Sequence, residues 1–184
     1  MNKQQQSSAT RDAILDAANR VLTEKGVEGF TLEAVAAEGG VSKGGLLYHF
    51  PSKNSLIEGM ITRSIDRVDD ALKEELARAS GDYLTAYIRA SFRTALSPEP
   101  VSRAMIAAMA GDPSLMEPLR TRFERMQREI AAAAPTPELG TLLRLCLDGL
   151  WFSELYNFAP PPPPLRLRMR DALLELVAEY KDKG

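Results

Sequence analysis

Gly40-Val41-Ser42-Lys43-Gly44-Gly45-Leu46-Leu47-Tyr48-His49-Phe50-Pro51-Ser52-Lys53 decides how this chain is read. Gly39-Gly40 forces a turn, Ser42 is a capping residue for a helix beginning at Lys43, and Pro51 stops that helix after Phe50. Val41, Leu46 and Phe50 recur at steps of five and four, so they can share an inward face. Ser42, Lys43, Gly45, Leu47, Tyr48 and His49 are then left to face outward. Just upstream, Thr31 can cap a second short helix carrying Leu32, Val35 and Ala36. Two short helices joined by a glycine turn are the parts of a helix-turn-helix: the second lies in the major groove while the first crosses the DNA backbone.

Helical periodicity continues in both directions from this stretch, and alternating β-branched patterns are nearly absent, which predicts an all-α chain of about nine helices. A first helix is expected from Thr10 to Lys25, with Ile14, Ala18, Val21 and Leu22 on one face, after a polar and flexible arm over 1–9. A long helix opens at Ser52 on the stripe Ile57, Ile61, Ile65, Val68, Leu72 and Leu76, and a further one runs from Tyr83 to Leu96. A short helix should end near Ala110. Asp112-Pro113 and Thr136-Pro137 each place a capping side chain before a proline at the first helical position, where its missing N–H is harmless. The helix from Glu138 to Phe158 is apolar nearly all round and needs cover on several sides. Pro160 to Pro164 predict a rigid polyproline bridge of about 16 Å, followed by a last helix from Leu165 to Lys181. The expected organisation is a three-helix reading domain over 1–51 and a second helical domain over 52–184.

Charge does not help. The chain carries 23 basic and 25 acidic residues, and its first sixty hold six basic against seven acidic ones, so any case for DNA rests on the motif rather than on a basic face. The single cysteine, Cys146, excludes an internal disulfide framework; it is expected to pack in a core, with no second cysteine to resolve an oxidised sulfur. No signal-peptide pattern and no apolar run of membrane-spanning length is seen, so a soluble, cytoplasmic protein without a membrane partner is expected. One histidine and one cysteine build no metal cluster, and no nucleophile–base pair or phosphate-cradling loop is visible, so neither an enzyme nor a cofactor is expected.

Arg11-x-x-Ile14-Leu15-x-Ala17-Ala18, Gly26-x-x-Gly29-x-Thr31, Val35-Ala36 and Gly40-Val41-Ser42-Lys43-Gly44 through Tyr48-His49-Phe50-x-x-Lys53 together resemble the signature of the TetR family of bacterial repressors, over about a third of the chain. The resemblance implies that Ser42, Lys43, Gly45 and Leu47 meet base edges of double-stranded operator DNA. It implies that Thr31, Tyr48, His49 and Lys53 hold phosphates. Leu47 stands where the family often has an aromatic residue, and Gly44-Gly45 leaves little side chain to read with. Each glycine weakens a helix by roughly 1 kcal/mol, so this helix is expected to fray off DNA.

The resemblance further implies a homodimer through the last two helices, which presents two reading helices to a palindrome. It also implies a helical pocket for a small lipophilic effector that releases the DNA. Ile61, Ile65, Tyr87, Phe92, Met105, Met109, Phe123, Met126, Leu147 and Trp151 are the candidate lining residues, though most bulky apolar residues of this half must be ordinary core. Asp148, set among leucines, reads either as a structural hydrogen-bonding group or as an orienting charge for a ligand. A DNA-binding regulator without a small-molecule ligand, controlled by a protein partner or by abundance, is the alternative.

Overall fold

The computed structural model describes residues 3–95 and 111–182. Among the described residues there are eight α-helices, one 3-10 turn and no strand: α1 (Lys3–Lys25), α2 (Leu32–Glu38), α3 (Lys43–His49), α4 (Lys53–Arg78), α5 (Tyr83–Ala95), the turn Pro113–Met116, α6 (Glu117–Ala133), α7 (Pro137–Tyr156) and α8 (Pro163–Asp182). The expected short helix ending near Ala110 falls outside the described residues. The chain divides into two compact units, one drawn from 1–64 and 99–120, the other from 65–98 and 121–184. Helix α4 is common to both, giving residues 53–64 to the first and 65–78 to the second.

In the first unit the buried apolar side chains are Ile14, Leu15, Ala18, Val21 and Leu22 of α1, Val35 and Ala36 of α2, Leu46 of α3, Phe50, and Leu56, Ile57, Met60 and Ile61 of α4; α1 packs on α2, and α2 on α3. Two features fix how these helices meet. Gly40 adopts φ +63°, and the Val41 and Gly40 amides donate to the Ala36 and Ala37 carbonyls, so the α2–α3 turn is a Schellman closure that wants glycine at the left-handed position. Gly59 lets the Phe50 ring rest on α4: a Cβ there would lie 2.5 Å from Phe50 Cε1 and 3.4 Å from Leu15 Cδ2.

The second unit closes over Leu84, Tyr87, Ile88 and Phe92 of α5, Met126 and Ile130 of α6, Leu139, Leu143, Leu147 and Leu150 of α7, and Val177 of α8. Asp82 caps α5 through the Thr85 amide and hydroxyl, and it also pairs with Lys181 at 2.7 Å. Asp69 of α4 ties to Arg122 and Arg125 of α6 at 3.0 and 2.5 Å.

Three expectations are corrected. Helix α1 begins at Lys3 rather than Thr10, so the supposed arm is helical from there; Gln4 to Thr10 contains no glycine or proline to break the helix. The proline run is bridge only as far as Pro162, because Pro163 and Pro164 form the first turn of α8, where a missing N–H costs nothing and φ is already set. The Pro162 carbonyl accepts from the Leu165 and Arg166 amides. Cys146 is exposed rather than buried. It shares one side of α7 with Leu142 (65% exposed) and Leu145 (53%), opposite the Leu139, Leu143, Leu147 and Leu150 row that faces the core. The apolar character of α7 all round thus divides into a covered face and an open one.

Candidate functional site

Ser42 caps α3 by accepting from the Gly45 amide at 3.0 Å, and Phe50 closes it by donating its amide to the Leu46 carbonyl at 2.8 Å. With Leu46 and Phe50 buried, the helix is pinned by one edge. The opposite edge carries Ser42, Lys43 and Gly44 exposed, Gly45, Leu47 and His49 half-exposed, and Tyr48 80% exposed. An aromatic phenol held that far out of a core has no packing role here. Its ring meets His49 edge-on, centroids 5.1 Å apart at 86°, which steadies both on one end of α3.

The flanking residues expected at phosphates lie at helix starts. Thr31 caps α2, its oxygen accepting from the Ala34 amide at 3.1 Å, so the hydroxyl hydrogen remains available to donate. Lys53 opens α4 and sits with its ammonium 5.4 Å from the Phe30 ring centroid, a cation–π contact that orients the side chain without neutralising it. Ser52 and Ser55 cap α4 reciprocally, each hydroxyl accepting from the other's amide at 3.0 and 2.9 Å. Asn54 donates to Asp112 at 3.3 Å, joining the start of α4 to the cap of the Pro113 turn.

Sequence reasoning missed three of the residues that shape this face. Glu33 pairs with Lys43 at 2.7 Å. Hydrogen bonding from Lys43 holds its carboxyl below the ordinary range, so the cation expected at a base edge is held by a carboxylate in the free protein. Gly59 and Ser55 were also unmarked. The Ser52–Ser55 spacing was a usable signal for a capping box, whereas the Gly59–Phe50 approach is a tertiary contact with no local trace.

The effector candidates separate. Tyr87, Phe92, Met126 and Leu147 belong to one buried cluster of the second unit, with Phe123 half-buried against it. Ile65 and Trp151 are half-buried in the same unit, while Ile61 is fully enclosed in the core of the first unit. Met105 and Met109 lie outside the described residues. A cavity of about 370 Å³ is lined by Leu72, Leu76, Tyr83 and Met126 together with the Asp69, Arg122 and Arg125 ion pairs. Tyr83 donates to Glu129 at 2.7 Å at its edge. Burial pushes the Tyr87 phenol well above its ordinary pKa, and the nearby Asp148 adds to the effect. Asp148 is bonded to Arg144 at 2.6 Å, one turn back on α7; burial still raises its carboxyl above the usual value despite Arg144 and Arg122.

Comparison with known proteins meets this geometry directly. Residues 14–60 match the family described as bacterial regulatory proteins, tetR family, and residues 81–178 match the tetracyclin repressor-like C-terminal domain. The HTH-type transcriptional regulator RutR of Escherichia coli K12 is 34% identical over 116 residues, which is 61% of this chain. The chain spans about half of RutR's length, 54%. The HTH-type transcriptional repressor KstR of Rhodococcus jostii RHA1 is 28% identical over 150 residues, 79% of this chain and 70% of KstR. Among solved structures, a TetR-family member from Streptomyces coelicolor A3 superimposes with TM-score 0.70 at 23% identity, covering 91% of this chain and 98% of that one. The multidrug binding protein EbrR, solved with imidazole, gives TM-score 0.66 at 24% identity, covering 91% and 94%. With its helix-turn-helix and its C-terminal helical domain both matched, this chain belongs to the TetR family of helix-turn-helix transcriptional regulators.

Proposed function

We propose that the protein is a cytoplasmic transcriptional repressor that binds a palindromic operator as a homodimer and is released by a small, lipophilic molecule. The observation that carries this reading is the outward edge of α3, where Ser42, Lys43, Gly45, Leu47, Tyr48 and His49 stand clear of the core that grips Leu46 and Phe50. Lys43 and Ser42 donate to base edges, Leu47 touches a thymine methyl, and Thr31, Tyr48, His49 and Lys53 hold phosphates on either side. In a two-fold dimer, paired reading helices about 34 to 36 Å apart match one turn of duplex.

The dimer forms through α7 and α8. Leu142, Leu145 and Phe152 on α7 and Leu165, Leu176 and Tyr180 on α8 are large apolar side chains left open by the chain's own core, as an interface requires. The effector site lies in the second unit among Ile65, Tyr87, Phe92, Phe123, Met126, Leu147 and Trp151. Support for a small-molecule site comes from the relative EbrR, a multidrug binding protein also solved with malachite green. Because α4 is one helix from Lys53 to Arg78, a ligand that shifts its second half also shifts the phosphate-holding end. A preference of about 100-fold for the DNA-incompetent form supplies about 2.7 kcal/mol per site.

The test is selection of bound sequences from random duplex DNA, followed by a compound screen for release from the selected site. A palindromic site and at least one releasing compound are expected. Failure to select any site, or operator DNA leaving every bound compound's affinity unchanged, overturns the reading.

A further inference from the structure

We infer that the cavity between α5 and α8 in the second unit binds a singly charged anion with an apolar body, of the chemical class of a medium-chain carboxylate. The cavity holds about 750 Å³, within the range of small-molecule sites. Its wall carries Arg89, Arg93, Arg166 and Arg170 against only Glu75 and Asp171. These arginines are not equally committed. Arg93 is fully engaged by Glu74, Glu75 and the Ala71 carbonyl. Arg166 is likewise committed, pairing with Glu154 and donating to the Pro161 carbonyl. Arg170 reaches only Asp171, its neighbour in sequence, and Arg89 is exposed and pairs with none of the described residues.

A carboxylate between Arg170 and Arg89 accepts from both and supplies one balancing charge, with a planar match to the guanidinium fork. The rest of the wall is apolar: Phe92 and Leu174 line it, and Leu167 stands 53% exposed at its edge, a position that suits an alkyl chain.

Calorimetric titration of the full-length protein with decanoate, below its micelle concentration and at physiological salt, reads binding without operator DNA, so its outcome is separate from that of effector gating. One decanoate per protomer is expected, with decanol and decylamine at least tenfold weaker. Losing two charge-assisted donors in the double variant Arg89→Gln/Arg170→Gln weakens decanoate about tenfold or more. Arg168→Gln, an exposed arginine outside the cavity, leaves the affinity unchanged. Absence of decanoate binding, equal affinity for decanol, or equal losses in Arg168→Gln and the double variant overturns the assignment.

Discussion

Gly44 and Gly59 respond in opposite senses to the same substitution, because one methyl meets nothing and the other meets a ring. Replacing a helical glycine by alanine favours the folded state by about 1 kcal/mol through backbone entropy, somewhat less in a first turn. At Gly44, the second residue of α3, an added Cβ has no neighbour within 4 Å, so Gly44→Ala stabilises by ~0.5–1 kcal/mol. At Gly59 the same gain is set against a Cβ 2.5 Å from Phe50 Cε1. The ring must retreat by about 1 Å to reach ordinary contact, but it is buried, with Leu15 Cδ2 only 3.4 Å from the same Cβ. Overpacking of this kind costs about 1–3 kcal/mol, so Gly59→Ala is destabilising by ~1–2 kcal/mol net. Urea unfolding at fixed protomer concentration measures both. Phe50→Leu in the Gly59→Ala background should recover part of the loss, with a coupling of about 1 kcal/mol in the double-mutant cycle. If Gly59→Ala stabilises as Gly44→Ala does, or the cycle is additive, the packing account of α3 is wrong.

Glu33→Gln frees Lys43 and is expected to tighten operator binding several-fold while steepening the log–log salt dependence by about one unit; an unchanged slope in gel-shift titrations contradicts the pairing. Leu145→Glu should yield a folded monomer by light scattering with operator affinity lost, since Leu145 is half open in the single chain and its replacement disturbs no core contact. Burial pushes the Asp82 carboxyl up, but Lys181 and Thr85 more than offset this and hold it below its ordinary pKa. Its stabilisation is therefore present above about pH 4 and lost as pH falls through the depressed value. Asp82→Asn should remove that acid-side slope from the stability profile, whereas Asp82→Ala also forfeits a cap of about 1 kcal/mol. Hydrogen exchange should find the α3 amides less protected than those of α1 in the free protein, as two glycines in a seven-residue helix require.

Much of the first unit was legible because its signals are local. Thr31, Gly40, Ser42 and Pro51 each act within a few residues, and the structure uses every one as a cap, a left-handed turn or a stop. The same locality explains two misreadings. Polar residues near a terminus suggest an arm, yet nothing in Gln4 to Thr10 breaks a helix. Consecutive prolines suggest a bridge, yet two prolines fit a first helical turn. Where a side chain's surroundings come from distant segments, the pattern is silent. Cys146 has the neighbours of a core residue in sequence, but the face it shares with Leu142 and Leu145 is left uncovered by the chain. Glu33 lies ten positions from Lys43, and only the Gly40 turn brings their helices together. The arginines of the α5–α8 cavity likewise come from two helices more than seventy residues apart, so the tract Arg166, Arg168, Arg170 reads in sequence as a solvated face.

The outward edge of α3 also constrains how an operator is recognised on the proposed reading. A well-placed bidentate contact discriminates a base by about 1–3 kcal/mol, and this helix offers one cation, one hydroxyl and one leucine toward bases. Gly44 and Gly45 add none. Lys43 must first leave Glu33, so part of its interaction with DNA replaces one it already has. The phosphate-holding group is better equipped: Thr31 and Lys53 sit at helix starts, where backbone amides point outward, and Tyr48 and His49 brace each other. A single copy would therefore grip DNA more strongly than it reads it. Pairing two copies multiplies the small discrimination of each, and it adds a demand on spacing that no single helix can make. In the proposed dimer the open apolar faces of α7 and α8 thus belong to the reading apparatus, since pairing through them sets the distance at which two sparsely equipped helices meet the groove.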